Sequence, residues 1–442
     1  MVGALLTKKR VTAPPQSIRE RTGRLLKMAG SMATQELSRR IQGKGSVESA
    51  LSLSQIQTLV GELAHLKGAA MKLGQLFALE ARDYFPEEIC EVLDQLQSDA
   101  SSLDFHVIES ILQQELGQKY DSLTDFSVQP IAAASIGQVH RAKLPSGVPV
   151  AVKVQYPGIK DSVHSDVKVL GTLMKTISVL MGKQVNLSEL VGEFSEIFIQ
   201  EADYEKEALF SIEYQKFARE VPDLVVPSVH PEFSTAKVLT MNYETGIKLN
   251  DWLKTSTATR EMRTFYGELI LDLYSREFCD WGLVQTDPNL GNFFFRPSER
   301  KLVLLDFGAT KRYDLEFRKL YAQLIMATLA KNKGRVLSLG EEMGLIDPRE
   351  AGEAKEVFKD LLFESMRPMT LPEYDFGESA YPEKMRALSR ELVKALRYSA
   401  PPKKLIFLHR KLSGIFYILR ALNVKLPLTQ YTERYQALIE SN

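Results

Sequence analysis

Four short segments carry, in chain order, a lysine, a cluster of acids, an Asp and Asn five apart, and a further Asp. They are Val150-Ala151-Val152-Lys153, Glu201-Ala202-Asp203-Tyr204-Glu205-Lys206-Glu207, Asp287-Pro288-Asn289-Leu290-Gly291-Asn292 and Leu305-Asp306-Phe307-Gly308. Phosphoryl transfer needs a cation on the phosphates, an acid to hold that cation, a base near the acceptor oxygen, and an amide plus a carboxylate for magnesium. Lys153, one acid of the second segment, Asp287, Asn292 and Asp306 supply those five groups. Asp-Phe-Gly alone recurs by chance, whereas four pieces in this order and at these intervals form a specific signal.

These residues need elements to hold them. Past Leu123 the pattern is that of strands: a small-residue run from Ile131 to Ala142, a Pro/Gly turn at Pro145 to Pro149, then Val150, Val152 and Val154 alternating with Ala151, Lys153 and Gln155. The alternation sets Lys153 on the face opposite three valines, as a strand-borne lysine facing a phosphate site requires. In a protein kinase the preceding hairpin would carry glycines, whose backbone N–H groups approach phosphate closely. Here alanines stand in that hairpin. A helix starting near Asn186 or Ser188, with Leu190, Phe194 and Ile197 as its apolar stripe, should carry the acids. If unbroken, it sets Asp203 and Glu207 on one face and Glu201 and Glu205 on another, so one carboxylate pairs with Lys153 and another serves elsewhere. The apolar run Leu302 to Leu305 leads into Asp306 after one short hairpin.

From about Ser46 to Leu116 the periodicity is helical, with Leu63, Leu66, Ala70, Leu73 and Phe77 in three- and four-residue steps. Lys72-Leu73-Gly74-Gln75 lies within it, Lys72 and Gln75 sharing a face. By itself that pair is no more than an ordinary helix surface.

With 442 residues, 44% of them hydrophobic, the chain can bury a large core. Lys plus Arg equals Asp plus Glu at 56 each, so no global field favours nucleic acid. Cys90 and Cys279 lack metal-type spacing and fit a reducing compartment. No run of 18 apolar residues occurs, which predicts no transmembrane helix. In the first 35 residues Lys8, Lys9, Arg10, Arg19, Arg21, Arg24 and Lys27 face only Glu20. This arm reads as a solvated tail, a peripheral contact with anionic lipid, or a transit peptide. The corresponding locations are the cytoplasm, the inner face of a membrane, and the mitochondrial matrix.

Together with Lys72-Leu73-Gly74-Gln75, the loop Ala132-Ala133-Ala134-Ser135-Ile136-Gly137-Gln138-Val139-His140 and Thr286-Asp287-Pro288-Asn289, these segments resemble the UbiB/ADCK (AarF-type) atypical kinase-like family over roughly residues 60 to 430. The resemblance implies an α+β, two-lobed protein-kinase-like fold. A basic arm (1–45) would precede a helical extension over the active site (46–122), an N-lobe (123–245) and a mostly helical C-lobe (246–442). It implies ATP or ADP with Mg2+ as cofactors. Ala134, Ser135, Ile136, Gly137, Lys153, Glu207, Asn242 and Tyr243 would bind nucleotide, Asp287 and Lys153 would be catalytic, and Asn292 and Asp306 would hold metal. Lys72 and Gln75 would point into the cleft, Glu201 and Asp203 would contact the extension, and Glu207 would face Lys153. An extension so placed would exclude peptides while admitting water or a small phenolic lipid. Relatives are tied to ubiquinone biosynthesis and isoprenoid-lipid homeostasis, which makes a lipid or quinone precursor the expected partner besides nucleotide.

Two features depart from kinase patterns. No Ala-Pro-Glu follows Asp306 at the usual distance, so a standard peptide-binding activation loop is missing. Lys403 to Leu428, where some bacterial relatives carry transmembrane segments, is interrupted by His409, Arg410, Lys411, Arg420 and Lys425 and reads as an amphipathic helix. Two functions fit: an ATP-dependent phosphotransferase or ATPase, and a nucleotide-gated module that binds lipid or partners without phosphotransfer. Retention of both Asp287 and Asp306 favours the enzyme.

Overall fold

The computed structural model describes residues 102–134, 136–159, 199–287, 289–377, 380–399 and 402–441. The expectations for the basic arm, for Lys72 and Gln75, for Ser135 and for a helix start near Asn186 lie outside the described residues. Residues 102–155 and 200–442 build one compact unit.

Asp104 opens the first helix, α1 (Phe105–Leu116), its side chain accepting from the His106 N–H, and Ile108, Leu112 and Leu116 form the buried stripe. Strands β1 (Ala132–Ala133), β2 (Gly137–Lys143) and β3 (Pro149–Gln155) follow. Along β3 the three valines are fully buried while Lys153 lies on the other, half-buried face. Helix α2 (Tyr204–Ala218) comes next. It is not the unbroken helix expected from the sequence. The helix breaks at Asp203 (φ −108°, ψ 82°), whose carboxylate accepts from the Lys206 N–H at 3.2 Å, so Asp203 caps α2 while Glu201 ends the helical residues 199–201 that precede the break. An Asp at this position offers the first orphan N–H groups a better acceptor than a continuing turn would.

After β4 (Leu224–Val225), strand β5 (Val238–Asn242) completes an antiparallel sheet of order β1-β2-β3-β5, in which Lys153 lies between Val139 and Leu239. Glu207 and Tyr214 are both buried on α2 and stand two turns apart on one face.

The second lobe is mostly helical. Helix α3 (Arg260–Ser275) runs into a π-helical turn, Arg276–Trp281, that ends at Gly282 with φ 64°. Only glycine takes that backbone conformation without cost, and it turns the chain into β6 (Leu283–Gln285). Strands β7 (Phe293–Arg296) and β8 (Lys301–Leu304) form a hairpin, β8 pairs in parallel with β4, and β9 (Thr310–Arg312) pairs with β6. Asp287 therefore sits between β6 and β7, and Asp306 between β8 and β9. Helices α4 (Leu315–Leu329), α5 (Lys333–Glu342), α6 (Gly352–Met366) and α7 (Tyr381–Ala395) follow. Helix α8 (Lys403–Leu422) buries Leu405, Leu408, Ile415, Ile418, Leu419 and Leu422 in the main core, and α9 (Thr432–Glu440) closes the chain. The amphipathic helix expected from Lys403 to Leu428 thus stops at Leu422, where Asn423 turns left-handed at φ 53°. Among the described residues no helix is long and apolar enough to cross a membrane. A sheet-built first lobe and a helical second lobe make the two-lobed α+β arrangement expected from the sequence.

Candidate active site

Three expected residues meet at one point. Lys153 Nζ donates to both carboxylate oxygens of Glu207 at 2.9 Å and to Asp306 Oδ2 at 3.3 Å. The Glu207 side chain is 1% exposed and that of Lys153 12%, whereas Asp306 keeps 33%, so the pair is anchored in the interior and opens to solvent on the Asp306 side. Burial alone would push the ammonium's pKa down. The Asp306 and Glu207 carboxylates overcome this and hold Lys153 well above its ordinary value. Glu207 moves the other way: burial pushes its carboxyl up to about 7, although Lys153 opposes the shift. Beneath the lysine the Tyr204 ring lies 5.0 Å from Nζ, adding a cation–π contact.

Asp306 is fixed from its own loop, since Oδ1 accepts from the Gly308 N–H at 2.9 Å. A Cβ on Gly308 would lie 3.3 Å from that oxygen and 3.5 Å from Glu207 Oε2. The intervening Phe307 is buried with its ring 4.8 Å from Tyr214 on α2. Burying such a ring contributes about 1.5–3 kcal/mol, which helps keep the Asp306 loop against the helix that carries Glu207.

Asp287 forms a second centre. Its Oδ2 accepts from Asn292 Nδ2 at 2.9 Å, and its Oδ1 faces Arg410 Nη2 at 3.5 Å. A carboxylate only accepts, so the Asn292 nitrogen must face it, and the amide oxygen is the end left for a cation. Asp306 and Asn292 thus offer the hard oxygen donors magnesium takes. Among the described residues no group of three or more His, Cys, Asp or Glu is arranged to hold a metal ion. A cation here would need phosphate or water oxygens to complete its shell, as magnesium in nucleotide sites commonly does.

The other expected nucleotide-binding residues are dispersed along the first lobe. Ala134 and Gly137 close the β1–β2 hairpin through Ala134 N–H to Gly137 O at 2.9 Å, with Ile136 buried between them. Gly137 has no room for a side chain: a Cβ would lie 2.3 Å from Val154 O and 2.8 Å from the Tyr204 hydroxyl. Asn242 and Tyr243 stand at the end of β5. The Asn242 Oδ1 pairs with His230 Nε2 at 2.8 Å, and the Tyr243 N–H donates to Pro149 O at 3.0 Å. Neither partner belongs to the Lys153 cluster. Asp203 caps α2, as described, and residues 46–101 of the extension that Glu201 and Asp203 were expected to contact lie outside the described residues.

Sequence reasoning missed Arg410, reading it only as an interruption in an apolar stretch. The available signal was a pair of adjacent cations, Arg410 and Lys411, in a segment otherwise apolar enough to be core.

The description "ABC1 atypical kinase-like domain" matches residues 95–339, more than half of the chain. "Atypical kinase COQ8, mitochondrial" of Schizosaccharomyces pombe is 32% identical over 397 residues, covering 88% of this chain and 64% of that protein. Its Saccharomyces cerevisiae counterpart is 32% identical over 373 residues, covering 83% and 73%. "Atypical kinase COQ8B, mitochondrial" of Danio rerio is 30% identical, covering 85% and 60%. The chain thus spans about two thirds of the length of these relatives. Among solved structures, a chain from the Rv3197–erythromycin complex of Mycobacterium tuberculosis aligns with TM-score 0.59 and 25% identity, covering 93% of this chain and all of that one. With the lysine strand, the Asp-x-x-x-x-Asn loop and the Asp-Phe-Gly in place, the chain belongs to the ABC1, or UbiB/ADCK, family of atypical kinase-like proteins.

Proposed function

We propose that this chain binds a magnesium nucleotide at the Lys153–Asp306 centre and passes its terminal phosphoryl group to water or to a small phenolic acceptor. The observation that carries this reading is Lys153 Nζ held at 2.9 Å by Glu207 and at 3.3 Å from Asp306. A lysine so restrained presents a fixed positive charge to phosphate oxygens, and its pairing with Glu207 keeps it from relaxing as charge develops during transfer. Asp287 orients the acceptor hydroxyl and receives its proton on a carboxylate oxygen. Asn292 holds Asp287 in place, and Arg410 limits how far its charge can swing. Magnesium held by Asn292 and Asp306 would neutralise phosphate charge.

The acceptor is assigned to ubiquinone or other isoprenoid-lipid metabolism on the family resemblance and the COQ8 relatives, whose names also make a mitochondrial location the first to examine. Nucleotide turnover by the purified full chain, measured alone, with phospholipid vesicles, with a phenolic quinone-precursor mimic and with a generic protein substrate, tests the reading. Turnover raised by the phenol or the vesicles, with no label passed to protein, is the expected result. Strong labelling of protein would make a conventional protein kinase the better reading. Binding of nucleotide without turnover under any condition would point to the gated module.

A further inference from the structure

Behind the site lies a buried chain of polar groups that the mechanism above does not use. Lys411 lies on the core face of α8, one turn from both Leu408 and Ile415, at a position where the helix otherwise buries aliphatic side chains. Its Nζ stands 3.2 Å from Glu277 Oε2 and donates to Gln285 Oε1 at 3.2 Å. Glu277, on the π-helical turn, accepts at Oε1 from the Tyr214 hydroxyl at 2.7 Å and from the Gln285 N–H at 3.1 Å. Gln285 then uses its amide nitrogen twice, donating to the Asp287 carbonyl at 2.9 Å and to the Asp306 carbonyl at 3.2 Å. Lys411, Glu277, Gln285 and Tyr214 are all buried.

The chemistry of this chain is directional. A glutamine amide can satisfy two carbonyls only if its nitrogen faces both, and the ammonium of Lys411 on the oxygen side forbids the flipped arrangement. Gln285 therefore ties the loop of Asp287 to the loop of Asp306 through one rigid group. Tyr214 extends the tie to α2, the helix that carries Glu207. Burying a lysine and a glutamate is costly, and an apolar pair of similar volume often packs as well or better. A core that needed only stability would not require them.

We propose that Lys411 and Glu277 are positioning residues. Acting through Gln285, they set the separation between the Asp287 and Asp306 loops, and so the geometry with which Asn292 and Asp306 meet a magnesium nucleotide. This rests on the nucleotide reading given above. Groups that orient metal ligands from behind typically change metal-linked affinity or activity by about 10–100-fold when removed.

The test compares wild type with Gln285→Met, which strands no charge, and with the paired Lys411→Met/Glu277→Gln, which removes both charges together. Nucleotide affinity is measured by calorimetry in magnesium and in chelator, and backbone hydrogen exchange is followed in the nucleotide-free protein. The expected result is a loss of about tenfold in the magnesium-dependent gain in affinity, with affinity in chelator unchanged. Exchange should rise at residues 285–292 and 305–309 but not in α6. An unchanged magnesium-dependent gain in either variant overturns the proposal. So does an equal loss of affinity with and without magnesium, accompanied by faster exchange throughout, because that is what a general packing role produces. If wild type itself gains nothing from magnesium, the nucleotide reading fails and this proposal falls with it, a result distinguishable because it appears before any substitution is made.

Discussion

The two charged centres of the site are built as opposites. At Lys153 one cation of the first lobe is gripped by two carboxylates, at 2.9 Å from buried Glu207 and at 3.3 Å from the partly exposed Asp306 of the second lobe. At Asp287 one carboxylate faces two donors, Asn292 at 2.9 Å and Arg410 at 3.5 Å. The first centre is tight, which on the proposed function suits a charge that must stay fixed on phosphate. The second is looser on the arginine side, which on the same proposal suits a carboxylate that must reach an acceptor proton. The proposed fixed charge, on β3, and the proposed base, between β6 and β7, thus stand on different lobes.

The largest effect should come from the adjustable side. Asp287→Asn removes the proton acceptor and should lower nucleotide turnover by about 10²–10⁴-fold, with little change in nucleotide affinity by calorimetry. Comparable losses of both quantities would mean that Asp287 helps to build the nucleotide site. At the fixed centre, Lys153→Met leaves Glu207 buried without its partner and should cost about 3–5 kcal/mol in denaturant unfolding. Adding Glu207→Gln should recover most of that loss, and a double variant no more stable than the single one would remove the ion pair from the account. Gly137→Ala should cost about 1–3 kcal/mol, because its Cβ would press on the Val154 carbonyl and the Tyr204 hydroxyl. Full stability in that variant would show that the hairpin shifts freely.

The smallest effect is in pH. Burial raises the Glu207 carboxyl from 4.5 to about 7, while Lys153 stays charged throughout the accessible range. As pH falls through 7, Glu207 gains a proton and loosens its hold, so nucleotide affinity should decline a few-fold between pH 8 and pH 6. For stability the sign is the reverse. Between 4.5 and about 7 the folded chain keeps a proton that the unfolded chain has released, so this group's contribution is full below 4.5 and is lost as pH rises through 7. Glu207→Gln should flatten both dependences, and identical profiles in wild type and variant would contradict the shift.

The same two centres show what could be read from sequence. Asp287 and Asn292 lie five residues apart, and Lys153 sits in an alternation that fixes its face, so both were legible from local spacing. Choosing among Glu201, Asp203, Glu205 and Glu207 was not possible from helical phase alone, because the phase starts afresh where Asp203 caps α2. The family resemblance pointed to Glu207. Arg410 and Lys411 meet their partners across 123 and 126 residues, and no local pattern encodes such a contact. Their trace was only a pair of cations on a helix otherwise fit for the core.

The central claim is that Asp306 holds the cation that Lys153 and its partners are arranged to complement. Thermal unfolding with a fixed excess of ATP, titrated with magnesium, measures it directly, since a ligand that binds only the folded state stabilises it by RT ln(1 + [L]/Kd) and so raises the midpoint. The account predicts a magnesium-dependent rise in wild type and in the surface control Glu299→Gln, and no such rise in Asp306→Asn. Equal rises in wild type and Asp306→Asn would contradict it.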